Sequence, residues 1–424
     1  MGVPKDPLTG ALNGEVDAVV VALKSRTIAP SLAVDQSLQA LEWLKSLGAQ
    51  QIYFKYCSTF DSTKEGNIGP VTQALMKALA TDFTVVTPAF PDNGRTIFKG
   101  HLFVGDVLLA DSSMRTHPLT PMTDSNLVRL MQSQFEGEVA LIDYKVVAQG
   151  DAAVKQAMAL LRSQGVKAAV VDALSNEDLM VLGRAVKGMP LVSAGSGLAI
   201  GLAQNFALAP QSSPANLPKP RGFKAVLSGS CSEMTLKQVQ HFKGLGLPSF
   251  QLDPIKLSRS PSYTQTVLEW AKEQFIQTAG PLLIYSSSPP DEVRSVQKTL
   301  SIHTAGEMIE NAMADIAKGL LEIGVGQLLV AGGETSGKCV QALKISSLQI
   351  GPQIDPGVPW CYALGGASDV GGSQPSLNQA QSVDPTGIYK EIRTGIHPGI
   401  HMALKSGNFG REDFFSFAWT RLAD

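Results

Sequence analysis

The stretch Leu328-Leu-Val-Ala-Gly-Gly-Glu-Thr-Ser-Gly337 carries the residue types that hold an anion. Its apolar residues run straight into a Gly-Gly pair, which predicts a buried strand ending in a tight turn. Gly332 and Gly333 let the backbone approach a ligand more closely than any side chain allows, and they can supply positive φ. Thr335 and Ser336 add hydroxyl donors, with Glu334 in the same turn, where a helix read from Lys338 to Leu343 begins. A helix N-terminus favours negative charge, so the combination suits a phosphate. It is not a Walker loop, because Lys338 lacks the G-x-x-x-x-G-K-[ST] spacing. An ordinary strand-turn-helix joint is the competing reading.

Two more turns in the second half have this character. Ala225-Val-Leu-Ser-Gly-Ser-Cys-Ser232 reads as a strand opening into small hydroxyl residues ahead of a helix from Met234, with Ser230 at the apex. Ser232 and Thr235 also qualify as helix N-caps. Met402-Ala-Leu-Lys-Ser-Gly-Asn-Phe-Gly410 reads as a short strand entering a glycine loop at Gly407. A nucleotide held by backbone amides and hydroxyls needs such turns, since a bulky side chain would block its approach.

The first half offers charge instead. Arg26, Lys55 and Arg95 each follow an expected strand at its carboxyl end, where open α/β sheets bind ligands. Ser58, Thr59, Asp61 and Ser62 crowd the second of these exits and Asn93 the third, although Asn93-Gly94 is also ordinary turn chemistry. One such cation is a solvated loop residue; three on one sheet edge imply an anionic small molecule, a carboxylate or a phosphate. His101 and His117 lie further on and read as packing or hydrogen-bonding residues.

The elements that must position these groups follow from apolar runs. Expected strands occupy residues 17–23, 51–54, 83–86, 138–142, 168–171 and 191–194, with helices over 36–47 and 151–163. This alternation predicts an α/β fold of two α/β domains with mostly parallel, doubly wound sheets and a cleft between them. Pro210, Pro214, Pro218 and Pro220 among serines mark a linker over 207–222. The domains expected are therefore 1–206 and 223–424. Later elements are a strand over 281–285, a helix over 305–323, a rigid turn over 356–360 and a closing helix from Glu412.

With 424 residues, 44% hydrophobic and 17% charged, the chain has material for two cores. A net charge of −2 without long single-sign runs argues against a nucleic-acid surface. Cys57, Cys231, Cys339 and Cys361 lie too far apart for a metal signature or a disulfide scaffold. The polar, proline-broken start does not resemble a signal peptide, and no apolar run approaches the roughly 20 residues of a membrane helix. The expectation is a cytoplasmic protein without membrane or nucleic-acid partners, with a homodimer left open.

Taken together, these stretches resemble the four-carbon acid sugar kinases, and among them the 3-oxo-tetronate kinase family. The matching motifs are residues 22–26, 53–62, 66–70, 93–95 and 118–124 in the first half. In the second they are 227–232, 331–336, 356–360 and 403–410. The resemblance implies an ATP-dependent kinase that phosphorylates a four-carbon 3-oxo acid sugar at the 4-position in carbohydrate acid catabolism. It places the acid sugar on the N-terminal domain and ATP on the C-terminal one. Carried over by motif, Ser230, Gly332, Gly333, Glu334, Thr335 and Gly407 bind the nucleotide. Arg26, Ser58, Asn93 and Arg95 bind the acid sugar, and Lys55 and Asp61 are the catalytic candidates. Phosphoryl transfer calls for Mg2+, whose ligands no carboxylate pair identifies.

Two departures from the family pattern stand out. The opening strand and Ala-Asp-Asp-Phe-Thr-Gly-Ala motif of the family have no counterpart here, which raises the alternative of a catalytically impaired protein that binds sugar acid and nucleotide. A Gly-, Ser- and Pro-rich insertion over 365–399 separates two nucleotide-side motifs and reads as a surface loop or a lid. An NAD-dependent dehydrogenase is set aside, because no G-x-G-x-x-G opens a strand-helix-strand unit.

Overall fold

The computed structural model describes residues 18–23, 25–117, 120–206, 217–260, 262–278, 280–288, 302–345, 347–364 and 399–422. The chain divides into two compact units, Met1–Pro210 and Gln211–Asp424. Both are α/β with mostly parallel sheets, as the apolar runs predict.

In the first unit, helix α1 (Pro30–Ser46) precedes β1 (Ile52–Lys55), α2 (Ile68–Ala78) and β2 (Thr84–Thr87). Strands β3 (Arg95–Phe98), β4 (His101–Val104) and β5 (Val107–Leu108) form a small antiparallel meander. Helix α3 (Leu127–Gln132) then leads to β6 (Val139–Ile142), α4 (Tyr144–Val147), α5 (Asp151–Ser163), β7 (Ala168–Val171), α6 (Asn176–Ala185) and β8 (Leu191–Ala194).

The five longer-range strands pair in parallel in the order β1-β8-β2-β7-β6. Every residue of β2, β7 and β8 is buried, because helices cover both faces and leave no room for polar alternation. Lys55, Ala194 and Thr87 are register partners, so the carboxyl ends of β1, β8 and β2 finish in one row. Ser175 and Asp178 form a capping box that starts α6.

The second unit opens on β9 (Phe223–Ser228) and α7 (Glu233–Gly244). Next come β10 (Ser249–Gln251), α8 (Pro254–Arg259), α9 (Tyr263–Gln277) and β11 (Leu282–Tyr285). It continues with α10 (Ile302–Glu322), β12 (Val325–Ala331) and α11 (Gly333–Ala342). The antiparallel pair β13 (Ser347–Asp355) and β14 (Val358–Leu364), β15 (Ile400–Lys405) and α12 (Phe414–Phe417) complete it. The sheet order is β10-β11-β9-β12-β15-β14-β13, parallel as far as β15.

Side chains alternate between the two faces of this sheet. Ala225, Leu227, Leu328 and Val330 pack with α9 and α10, while Val226, Leu329 and Ala331 pack with Val239, Phe242 and the C-terminal aromatics. Fully buried Trp360 fixes the latter by donating Nε1–H to the Ala418 carbonyl at 2.8 Å.

Several sequence expectations change. Residues 18–23 form no strand, and Val20 is 88% exposed. An apolar run buries on both faces only where neighbouring strands accept its ladder, and no strand among the described residues pairs with it. The antiparallel β3–β5 meander was not expected, and the rigid turn at 356–360 is instead the β13–β14 hairpin, with Gly357 at φ 78°. The insertion at 365–398 and the linker core at 207–216 lie outside the described residues.

One backbone approach in the first unit leaves no room for change. A methyl group added at Gly183 of α6 would lie 2.0 Å from the Gly201 carbonyl oxygen. Gly183→Ala therefore forces helix and backbone apart, and the expected loss of about 1–3 kcal/mol should appear as a lower denaturant midpoint in unfolding monitored by circular dichroism.

Candidate active site

Asp61 is the centre of the charged cluster in the first unit. The segment reaching it begins at Lys55, the last residue of β1, and passes through a tight turn in which the Phe60 amide donates to the Cys57 carbonyl at 2.9 Å. Phe60 sits at φ 53° although fully buried, held by an edge-on contact with the Tyr56 ring at 5.3 Å. A non-glycine residue in this region persists only where packing over-determines it. The turn sets Ser58, Thr59 and Asp61 inward, each no more than 5% exposed.

Both carboxylate oxygens of Asp61 have partners. Thr59 donates its hydroxyl to Oδ1, and the Arg26 guanidinium donates to Oδ2 at 3.2 Å. Arg26 is carried in position by Asn67, whose side-chain amide donates to the carbonyls of Ser25 (2.6 Å), Arg26 (3.3 Å) and Ile28 (3.3 Å). Asp61 also acts by charge on three further groups. Burial lowers the Lys55 pKa below the usual lysine value, while Cys57 and Asp61 oppose the fall and Arg26 adds to it. The Lys55 side chain keeps contact with solvent, which limits that shift. Burial likewise lowers Arg95 against the pull of Cys57 and Asp61, yet an arginine stays charged at physiological pH. His117 is lowered by burial, with Asp61 and Arg26 acting on it in opposite senses.

Arg26, Lys55, Asp61 and Arg95 are thus one electrostatic unit, three cations around one anion. The excess positive charge suits a carboxylate or a phosphate. Arg95 donates to the backbone carbonyl of Asn93, so Asn93 enters through its main chain. Ser58 Oγ is buried without a hydrogen-bond partner among the described residues, an unspent donor for a ligand hydroxyl. The topological argument for Arg26 does not hold, since no strand precedes it among the described residues; Asp61 and Asn67 place it.

In the second unit the three expected turns leave adjacent strands at one level. Ser228, Ala331 and Lys405, the last residues of β9, β12 and β15, are register partners. Their turns interlock: a methyl group at Gly407 would lie 2.6 Å from Ser230 Oγ and 2.9 Å from Ser232 Oγ. One at Gly332, whose φ is 124°, would lie 3.0 Å from Thr335 Oγ1 and 3.3 Å from the Ser230 amide. Gly333 and Glu334 form the first turn of α11, and Gly333 has open space beside it.

The helices that follow differ at their N-termini. Ser232 caps α7 by accepting the Thr235 amide at 3.3 Å. α11 has Gly332 at its N-cap and no side-chain cap, the kind of helix start that favours an anion.

Comparisons with known proteins agree with this division. Residues 6–202 match the model of a sugar-binding N-terminal domain, and residues 225–415 that of a nucleotide-binding C-terminal domain. The 3-oxo-tetronate kinase of Pseudomonas fluorescens is 47% identical, across 100% of this chain and 90% of the relative. That of Burkholderia multivorans is 47% identical, across 99% and 90%. The chain belongs to the 3-oxo-tetronate kinase family. A crystal structure of a Haemophilus influenzae protein, 42% identical, superposes with a TM-score of 0.69 over 99% of this chain and 93% of its own. Kinase family membership makes the chain a phosphotransferase acting on an alcohol group, and it favours the catalytic reading over the impaired one.

Within this kinase, sequence reading missed Asn67 and Lys405; it placed Thr59 at the strand exit, read His117 as a hydrogen-bonding residue, which its ring contact with Thr120 bears out, and saw Thr235 only as a helix cap. Asn67 and Lys405 lie in motifs that carry the resemblance, but nothing local shows that Asn67 reaches three carbonyls 39–42 residues away. Among the described residues no cluster of three His, Cys, Asp or Glu side chains could hold a metal, and no helix is long and apolar enough to cross a membrane.

Gly407→Ala tests the interlocked turns. The added methyl must push Ser230 and Ser232 aside, so ADP affinity measured by isothermal titration should fall about tenfold, equivalent to ~1.4 kcal/mol. An unchanged affinity would show that the turns yield freely.

Proposed function

We propose that the chain transfers the γ-phosphoryl group of ATP to the 4-hydroxyl of a four-carbon 3-oxo acid sugar, a 3-oxo-tetronate. The observation that carries this reading is the uncapped N-terminus of α11 set among three turns on adjacent strands. The names of the relatives supply the sugar. Ser230, the 332–335 turn and Gly407 hold the nucleotide, with the α11 amides facing its phosphates.

On the acid-sugar side, Lys55 and Arg95 grip the substrate carboxylate. Arg26, anchored by Asp61, adds positive charge, and Ser58 meets a sugar hydroxyl. Asp61 orients the acceptor hydroxyl and takes its proton as the new O–P bond forms. Catalysis by such a site is mainly positioning and electrostatics, because a loose phosphoryl-transfer transition state needs little covalent help. Mg2+ fits this chain only as a companion of ATP: it commonly binds one or two carboxylates plus substrate phosphates and waters. Glu334 is the carboxylate of the α11 first turn. Mg2+ would neutralise charge on the phosphates.

Purified protein incubated with Mg2+–ATP and a 3-oxo-tetronate should release ADP and form a phosphomonoester visible by phosphorus NMR. Binding of both ligands without turnover would overturn the reading in favour of a non-catalytic binder.

The Lys55 assignment makes a pH prediction. Its folded pKa is lowered by burial, so the ammonium is lost at a lower pH than from an ordinary lysine. The KM for the acid sugar should therefore climb as pH rises through that value, by about tenfold per unit beyond it. Lys55→Arg keeps its charge and should remove the climb; a climb that persists in the variant would discard the role.

A further inference from the structure

Lys405 is a lysine with almost no access to water, 1% exposed, at the end of β15. Its ammonium has four acceptors: the carbonyls of Gly407 (2.7 Å), Ser406 (3.1 Å) and Phe409 (3.1 Å), and Thr235 Oγ1 (3.1 Å). Three N–H donors facing four acceptors leave none idle. Nothing in the kinase reading so far uses this group.

We infer that Lys405 is the positioning residue of the nucleotide half-site, gathering the carbonyls of the 406–409 loop so that its amides face the ligand. This rests on the nucleotide reading given above and deepens it. In a trans peptide the C=O and N–H point in opposite directions. The carbonyls of Ser406 and Gly407 aim at the Lys405 ammonium, so the amides of Gly407 and Asn408 point away from it. Successive amides presented this way form an anion-accepting concavity.

Lys405 also touches the other two turns. Its own carbonyl accepts the Gly332 amide at 2.8 Å, tying β15 to the start of α11. Thr235 Oγ1, which accepts from the ammonium, donates to the Gly407 carbonyl at 2.7 Å and accepts from Ser232 Oγ at 3.1 Å. Ser230 in turn donates to Ser232 Oγ at 3.2 Å. One residue therefore links the Gly332 turn, the Gly407 loop and the Ser230 turn. Burial lowers its pKa to about 7, and all four of its hydrogen-bond partners are uncharged oxygens. Gln238 completes the clamp, with its amide donating to the carbonyls of Phe409 (3.0 Å), Gly410 (3.2 Å) and Arg411 (2.9 Å).

A buried lysine could instead be plain scaffolding, and the test separates the two. Lys405→Met keeps the length of the side chain and removes the donors. The KM for ATP should rise about tenfold or more, ~1.4 kcal/mol, while the KM for the acid sugar stays within about twofold. Thr235→Val should move the KM for ATP in the same direction and Thr235→Ser should restore it, which keeps the test alive if the Met variant does not fold. Amide hydrogen exchange in nucleotide-free protein is read alongside. Faster exchange over 406–410 and 230–235 in the Met or Val variant is expected whatever the ligand proves to be. Unchanged exchange, or equal rises in both KM values, would overturn the inference. Altered exchange in a protein that never binds ADP would sink the nucleotide reading while leaving the clamp intact.

Discussion

Parallel pairing of β9, β12 and β15 is the constraint on which the nucleotide unit depends. Parallel strands that start together also end together, and here Ser228, Ala331 and Lys405 finish at the same level. Each strand must then turn away from the sheet within a few residues, and all three turns leave from one edge. Small residues are required there by crowding: Gly407, Ser230, Ser232 and Thr335 approach so closely that one methyl group would collide. The helix after β12 completes the arrangement, since Gly332 cannot cap it. What results is a surface built from amides and hydroxyls, with little side-chain bulk.

The first unit ends its strands in the same way and uses that edge differently. Lys55, Ala194 and Thr87 form the row, and the loop beyond β1 delivers a carboxylate to the middle of three cations. Asp61 is almost fully buried while its partner Arg26 keeps 45% of its side-chain surface in water. A buried carboxylate without a partner would be strongly unfavourable, so Asp61 fixes where Arg26 must come. Asn67 makes this cheap by holding the Arg26 backbone, so that little chain freedom remains to be lost when the ion pair closes.

Much of this was legible in the sequence, and the rest was hidden for identifiable reasons. Val- and Ala-rich runs such as 168–171 read as buried strands and fold as such, and the glycine turns announced themselves by composition. The run at 17–23 has the same composition and misled, because an apolar stretch records a preference for burial and not the presence of a pairing strand. Arg26 was found for a topological reason that does not apply, and its true placement depends on contacts 35 and 41 residues away. Lys405 was in plain view inside a motif. A lysine is normally read as solvated, and only the neighbouring carbonyls, whose directions no sequence shows, reveal that this one is enclosed.

The two units therefore achieve recognition by different means, and this bears on how each can change. Backbone amides contribute to an anion site whatever residue carries them, so the nucleotide half depends on conformation: on the glycines that permit it and on the Lys405 clamp that enforces it. On the proposed assignment, the acid-sugar half depends on the identity and balance of four charged side chains. Exchanging Asp61 alters the net charge offered to the substrate and the pKa of its neighbours, since its charge acts on Lys55, Arg95 and His117 alike. On the same assignment, discrimination among anionic sugars falls to the first unit, because a carboxylate a few tenths of an ångström away, or a missing hydroxyl opposite buried Ser58, would leave a charged or polar group unsatisfied. The nucleotide half has no comparable sensitivity: phosphates are the same in every turnover, and a rigid cradle of amides serves them without adjustment.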